Sequence, residues 1–90
     1  RDPYIAEYAK LREDGFCQLC GEKAPFYTKN NKPYLEAHHL KWLSKGGIDT
    51  IDNVVALCPN CHRKMHELNN KDDIKKLKMV LDEYDKIRDY

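Results

Sequence analysis

Two cysteine pairs, Cys17-x-x-Cys20 and Cys58-x-x-Cys61, constrain this chain more than any other feature. A two-residue gap lets both sulfurs of one knuckle face a single ion. Two such pairs complete the tetrahedral thiolate cage that Zn²⁺ prefers. Vicinal cysteines of this kind make poor structural disulfides with each other. A cross-pair disulfide framework in a secreted protein is the competing reading. A redox reading is weaker, because two CxxC pairs are present and no thioredoxin-like βαβ pattern surrounds them. One structural zinc would then staple the region before a hairpin to the start of the helix that follows Pro59. At 90 residues the chain is short enough to need such a staple.

The rest of the chain reads as α+β. Residues 2–14 read as a helix, with Asp2 as N-cap, Pro3 in the first turn, and Tyr4, Ile5, Tyr8 and Leu11 at helical spacing. Gly15 would end it in a left-handed conformation. Residues 16–25 form the first cysteine knuckle. The turn formers of "TKNNKP" suggest a hairpin, followed by a strand over Tyr34–His39. "SKGGIDTIDN" is a loop, and Val54–Leu57 a second short strand. Pro59 opens a helix to about Leu68. A last helix runs from Asp72 to about Arg88, with Ile74, Leu77, Leu81, Tyr84 and Ile87 as an apolar docking stripe. The whole is read as a single domain, 1–90, with a core over 34–68.

All four histidines, His38, His39, His62 and His66, lie in this core. His62 and His66 are four apart on a helix and share a face, so both can grip one ion. The cysteine cage is already full with four thiolates. A second metal site built from His62, His66 and one strand histidine follows. Neighbours on a strand point to opposite faces, so His38 and His39 cannot do the same job.

The stretch "EAHHLKWLSKGGIDTIDNVVALCPNCHRKMH", Glu36–His66, strongly resembles the HNH endonuclease family and its ββα-metal finger, in the zinc-containing branch found in bacterial restriction-type nucleases. The three naming positions map onto His39, Asn53 and His62. The match covers about half the chain closely, and the upstream CxxC agrees with it. Three positions depart from the common pattern: Leu40 stands where Ile is frequent, Trp42 where Pro is, and His38 where many members carry Asp.

The resemblance implies a small ββα-metal finger with a four-cysteine structural zinc, flanked by N- and C-terminal helices. It implies a metal-dependent DNA endonuclease. His39 would be the general base, His38 and His62 ligands of the catalytic metal with His66 as a third, and Asn53 a structural pin for the loop. Arg63 could clamp a phosphate through its planar fork, with Lys41, Lys45 and Lys64 as further backbone contacts. Mg²⁺ prefers oxygen ligands, whereas two or three imidazoles suit Ni²⁺, Co²⁺, Mn²⁺ or Zn²⁺. The rival reading is a zinc-stabilised nucleic-acid-binding module without catalysis.

Charge adds a mild hint of an anionic partner. The chain carries 16 basic and 15 acidic residues. From Lys23 to Lys64 there are seven basic (Lys23, Lys29, Lys32, Lys41, Lys45, Arg63, Lys64) and three acidic residues (Glu36, Asp49, Asp52). No apolar run approaches the roughly 20 residues of a membrane span. The expected setting is the bacterial cytoplasm. A separate DNA-recognition domain would supply specificity, and a homodimer would supply double-strand cleavage.

Overall fold

A computed structural model describes residues 3–12 and 14–88, with side chains through residue 84. The elements are α1 (Pro3–Arg12), β1 (Glu36–His39), β2 (Val54–Leu57), α2 (Pro59–Glu67) and α3 (Lys71–Arg88), with a short 3₁₀ turn at Leu43–Lys45. The two strands pair antiparallel, His38 opposite Val55 and His39 opposite Val54. β2 is buried at all four positions. Its second edge is closed by Gln18, whose backbone N–H donates to Ala56 O (3.0 Å) and whose Oε1 accepts from Ala56 N–H (2.6 Å). A two-stranded sheet would otherwise leave those polar groups buried and unpaired.

The core is one cluster of Cys17, Leu19, Val55, Leu57, Met65, Leu77 and Leu81. The apolar stripe of α3 therefore docks on the chain's own core, through Leu77 and Leu81 with Ile74 and Tyr84 beside them. The side chain of Ile87 lies outside the described residues. Lys76 Nζ donates to Leu19 O at 2.6 Å, tying α3 to the first knuckle.

Several element ends differ from the sequence reading. The first helix ends at Arg12 rather than residue 14, because Asp14 (φ 53°) and Gly15 (φ 90°) both take left-handed backbone. Asp2, the expected N-cap, lies outside the described residues. The stripe on α1 is not its buried face: Tyr4 and Leu11 are 82% and 66% exposed, while Ala9 is fully buried. The small Ala9 lets α1 approach both strands, and Arg12 completes the contact. Its guanidinium donates to Val54 O (2.8 Å) and lies 4.1 Å over the Tyr84 ring. The expected hairpin reduces to one bridge, Tyr27 with Pro33. Proline has no N–H to extend a ladder. The strand expected from Tyr34 begins at Glu36. α2 ends at Glu67, with Leu68 as its C-cap. α3 begins one residue early, at Lys71, because Asn70 caps it by accepting from Asp73 N–H at 2.9 Å.

Candidate metal centre and active site

The four cysteines come together. Their ligand atoms all lie within 4.8 Å of one another, and no disulfide joins them. Two thiolates bound to one tetrahedral ion at about 2.3 Å would lie roughly 3.8 Å apart. Cys20 Sγ and Cys58 Sγ are 3.9 Å apart. Burial and the neighbouring thiols push the Cys61 thiol pKa upward. A bound cation would offset this by favouring the thiolate. Cys58 also serves as the N-cap of α2, accepting from Cys61 N–H, with Pro59 at the first helical position.

The helix that starts on this cluster presents His62 and His66 to β1. With His38 they form a second group, again with ligand atoms within 4.8 Å. His62 Nε2 and His66 Nε2 are 3.2 Å apart. Two nitrogens on one tetrahedral ion at about 2.0–2.1 Å would be roughly 3.3 Å apart. His38 is 2% exposed, and its Nε2 is a buried atom with no hydrogen-bond partner among the described residues. Burial, then the charge of His62 and His66, pushes its pKa down to about 4. It is a neutral imidazole at physiological pH, in the form that ligates. The donor set and the orphaned nitrogen fit a divalent ion.

Three residues outside the predicted set orient this group. Glu36 Oε1 accepts from His62 Nδ1–H at 2.8 Å, which leaves the Nε2 lone pair of His62 facing its partners. Tyr34 Oη donates to Glu36 Oε2 at 2.7 Å. This bond first, and then His62, holds the Glu36 carboxyl below its usual range. The Trp42 ring stacks on His66, with centroids 5.4 Å apart at 30°. Glu36→Gln is expected to weaken binding at the three-histidine site by about 10- to 100-fold. Titration of zinc-loaded protein with Co²⁺, followed by its visible absorbance, measures this; unchanged affinity would remove Glu36 from the site.

His39 takes a different direction from His38, as strand alternation requires. Its Nε2 lies 2.7 Å from Asp49 Oδ1. An ionised carboxylate only accepts, so Nε2 carries the proton and Nδ1 keeps a free lone pair. Asp49 is not among the site residues expected from the sequence. It sits on a loop closed by Asn53. The Asn53 Nδ2 donates to Lys41 O (2.9 Å) and Ile48 O (2.9 Å), and its Oδ1 accepts from Lys41 N–H (2.8 Å). Gly47 lets the loop fold back on itself, since a Cβ there would collide with the Lys41 carbonyl. A cleft of about 230 Å³ lined by His38, His39, Trp42, His62 and His66 opens at this place. Arg63 lines an adjoining groove with Glu36, His62 and His66, and pairs with Glu67 at 3.6 Å. Lys41, Lys45 and Lys64 line neither; Lys64 pairs with Asp73 at 3.2 Å.

A family model described as HNH endonuclease matches residues 17–68. The chain belongs to the HNH endonuclease family. As a member of that family it is a nuclease domain. The type IV methyl-directed restriction enzyme EcoKMcrA of Escherichia coli K12 is 49% identical to it over 74 residues, which are 82% of this chain and 27% of that protein. Anaredoxin of a Nostoc species is 40% identical over 58 residues, 64% of this chain and 66% of that protein. Among solved structures, the phosphorothioation-dependent restriction endonuclease ScoMcrA superposes with a TM-score of 0.74 at 31% identity, over 90% of this chain and 18% of its own. The modification-dependent TagI restriction endonuclease superposes with a TM-score of 0.63 at 28% identity, over 73% and 23%. The chain thus spans about a quarter of EcoKMcrA and about two thirds of Anaredoxin. The 17–68 match spans the four-cysteine and three-histidine groups as well as His39 and Asn53. No helix among the described residues is long and apolar enough to cross a membrane.

Proposed function

We propose that this chain is the DNA-cleaving module of a bacterial restriction enzyme, hydrolysing phosphodiester bonds with a structural zinc and one catalytic divalent metal. The observation that carries it is the convergence of His38, His62 and His66 beside a His39 held by a carboxylate. Cys17, Cys20, Cys58 and Cys61 hold the zinc. His38, His62 and His66 would hold the second metal, which would supply Lewis-acid stabilisation of developing negative charge.

The protein's own groups do the remaining work. Asp49 fixes the His39 ring and its tautomer, so Nδ1 accepts the proton of the attacking water. As the imidazolium forms, the Asp49 carboxylate stabilises it. Asn53 keeps the Asp49 loop closed over the strand and so keeps His39 in register. Arg63 places its fork beside the groove, suited to a neighbouring phosphate.

Three relatives are named as methyl-directed, phosphorothioation-dependent or modification-dependent restriction enzymes. This chain spans a fraction of each, and in this reading a separate domain would recognise such a mark. Two copies acting on opposite strands would turn nicks into breaks.

The test is nicking of supercoiled plasmid by zinc-loaded protein across a metal series. Cleavage with Mn²⁺ or Ni²⁺ should at least equal that with Mg²⁺, and chelation should end it. Cleavage with Mg²⁺ alone would take His66 out of the ligand set. No cleavage of any substrate, modified or unmodified, with any metal would defeat the proposal.

A further inference from the structure

Phe26 and Tyr34 form a stacked pair, with ring centroids 4.7 Å apart and an interplanar angle of 17°. The pair stands outside the buried cluster, and Phe26 is 52% exposed. Tyr27 beside it is 62% exposed. An apolar surface held flat by a backing ring, yet left half in water, calls for a partner.

Two further observations say which partner. The segment from Lys23 to Leu35 carries Lys23, Lys29 and Lys32 and no acidic residue. All three lysines are exposed, Lys32 with an exposed ion pair to Glu7 at 3.7 Å. The pair is also continuous with the candidate active site. Tyr34 Oη donates to Glu36 (2.7 Å), and Glu36 accepts from His62 (2.8 Å). Glu36 and His62 line the groove that Arg63 borders. Two hydrogen bonds thus link Tyr34 of the pair to the groove where Arg63 lies.

We propose that the Phe26–Tyr34 pair is a stacking platform for an unpaired nucleobase of the DNA strand, with Lys23 and Lys29 facing its backbone. Every base has a π-face, so such a platform binds without reading sequence. In a relaxed duplex both faces of each base are covered by neighbours. The platform therefore favours strands that are frayed, flipped out or single, and it would hold such a strand beside the metal site.

The proposal rests on the reading of the chain as acting on DNA, but its test needs no cleavage. Zinc-loaded His39→Ala protein is titrated into a fluorescent single-stranded oligonucleotide and followed by anisotropy. Adding Phe26→Ala should weaken binding by about 5- to 150-fold, as the loss of one base–aromatic stack does. Phe26→Trp should keep the affinity, and Phe26→Leu, which retains apolar bulk, should not. An oligonucleotide of abasic sites should bind weakly to the parent, with little further loss on Phe26→Ala. Equal binding of intact single strand by Phe26→Ala and parent would overturn the proposal and leave the face to a protein partner. So would a Phe26→Ala loss as large on the abasic strand, or a failure of Phe26→Trp to bind. Failure of the nuclease reading would show elsewhere, as plasmid cleavage that His39→Ala does not lower.

Discussion

Stripping the ion from Cys17, Cys20, Cys58 and Cys61 should unfold most of the molecule. Structural zinc contributes roughly 10–16 kcal/mol in small zinc domains, against a total stability of about 5–15 kcal/mol for a typical domain. The arrangement here makes the two inseparable. Cys17 is 1% exposed and sits in the same cluster as Leu19, Leu57, Met65 and Leu77. Cys58 caps α2, so its sulfur organises both the ion site and the helix carrying His62 and His66. Without a cation, four adjacent sulfurs repel as they ionise and lose their common partner. Circular dichroism during chelation should show loss of helix, and elemental analysis should find one zinc per chain. Denatured, chelated protein should titrate four thiols. A chelated sample that keeps its helical signal, or fewer than four thiols, would refute the structural-zinc assignment.

Replacing His39 with alanine should lower plasmid nicking by about 10²- to 10⁴-fold, the usual contribution of a positioned proton acceptor, with metal affinity unchanged. The reason is geometric. His39 directs its Nε2 to Asp49, while His38 turns into the group with His62 and His66. The complementary variant, His38→Ala, should lose second-metal binding in proportion to its loss of cleavage, and excess metal should restore part of the rate. Nicking rates set beside Co²⁺ titrations of each variant separate the two. If His39→Ala lost metal affinity as steeply as His38→Ala, the division of labour between the two histidines would collapse.

The parts legible in the sequence are those with a fixed spacing. Two CxxC pairs, a proline-started helix with histidines four apart, and a β-branched strand each encode local geometry, and the structure brings their side chains together. The α3 stripe is legible for the same reason: its period forces one apolar face. What stays hidden lies in pairings across sequence distance. Nothing in a lone Asp49 says that it reaches His39, because the reach depends on how Gly47 and Asn53 fold the loop. Glu36 gives no sign of its bond to His62, which depends on strand and helix facing each other. Helical spacing in α1 does not tell which face is buried: the close helix–sheet approach is made at the small Ala9, while Tyr4 and Leu11 face solvent.

The cap of α2 is itself a member of the four-sulfur cluster, so an ion held there would order the start of this helix as well. His62 stands one turn beyond Cys58, so on the proposed function the cleaving residues would be assembled when the last knuckle finds its ion. A newly made chain emerging from the ribosome would stay harmless to the host genome until that moment. Zinc supply would then arm the enzyme as well as hold it together.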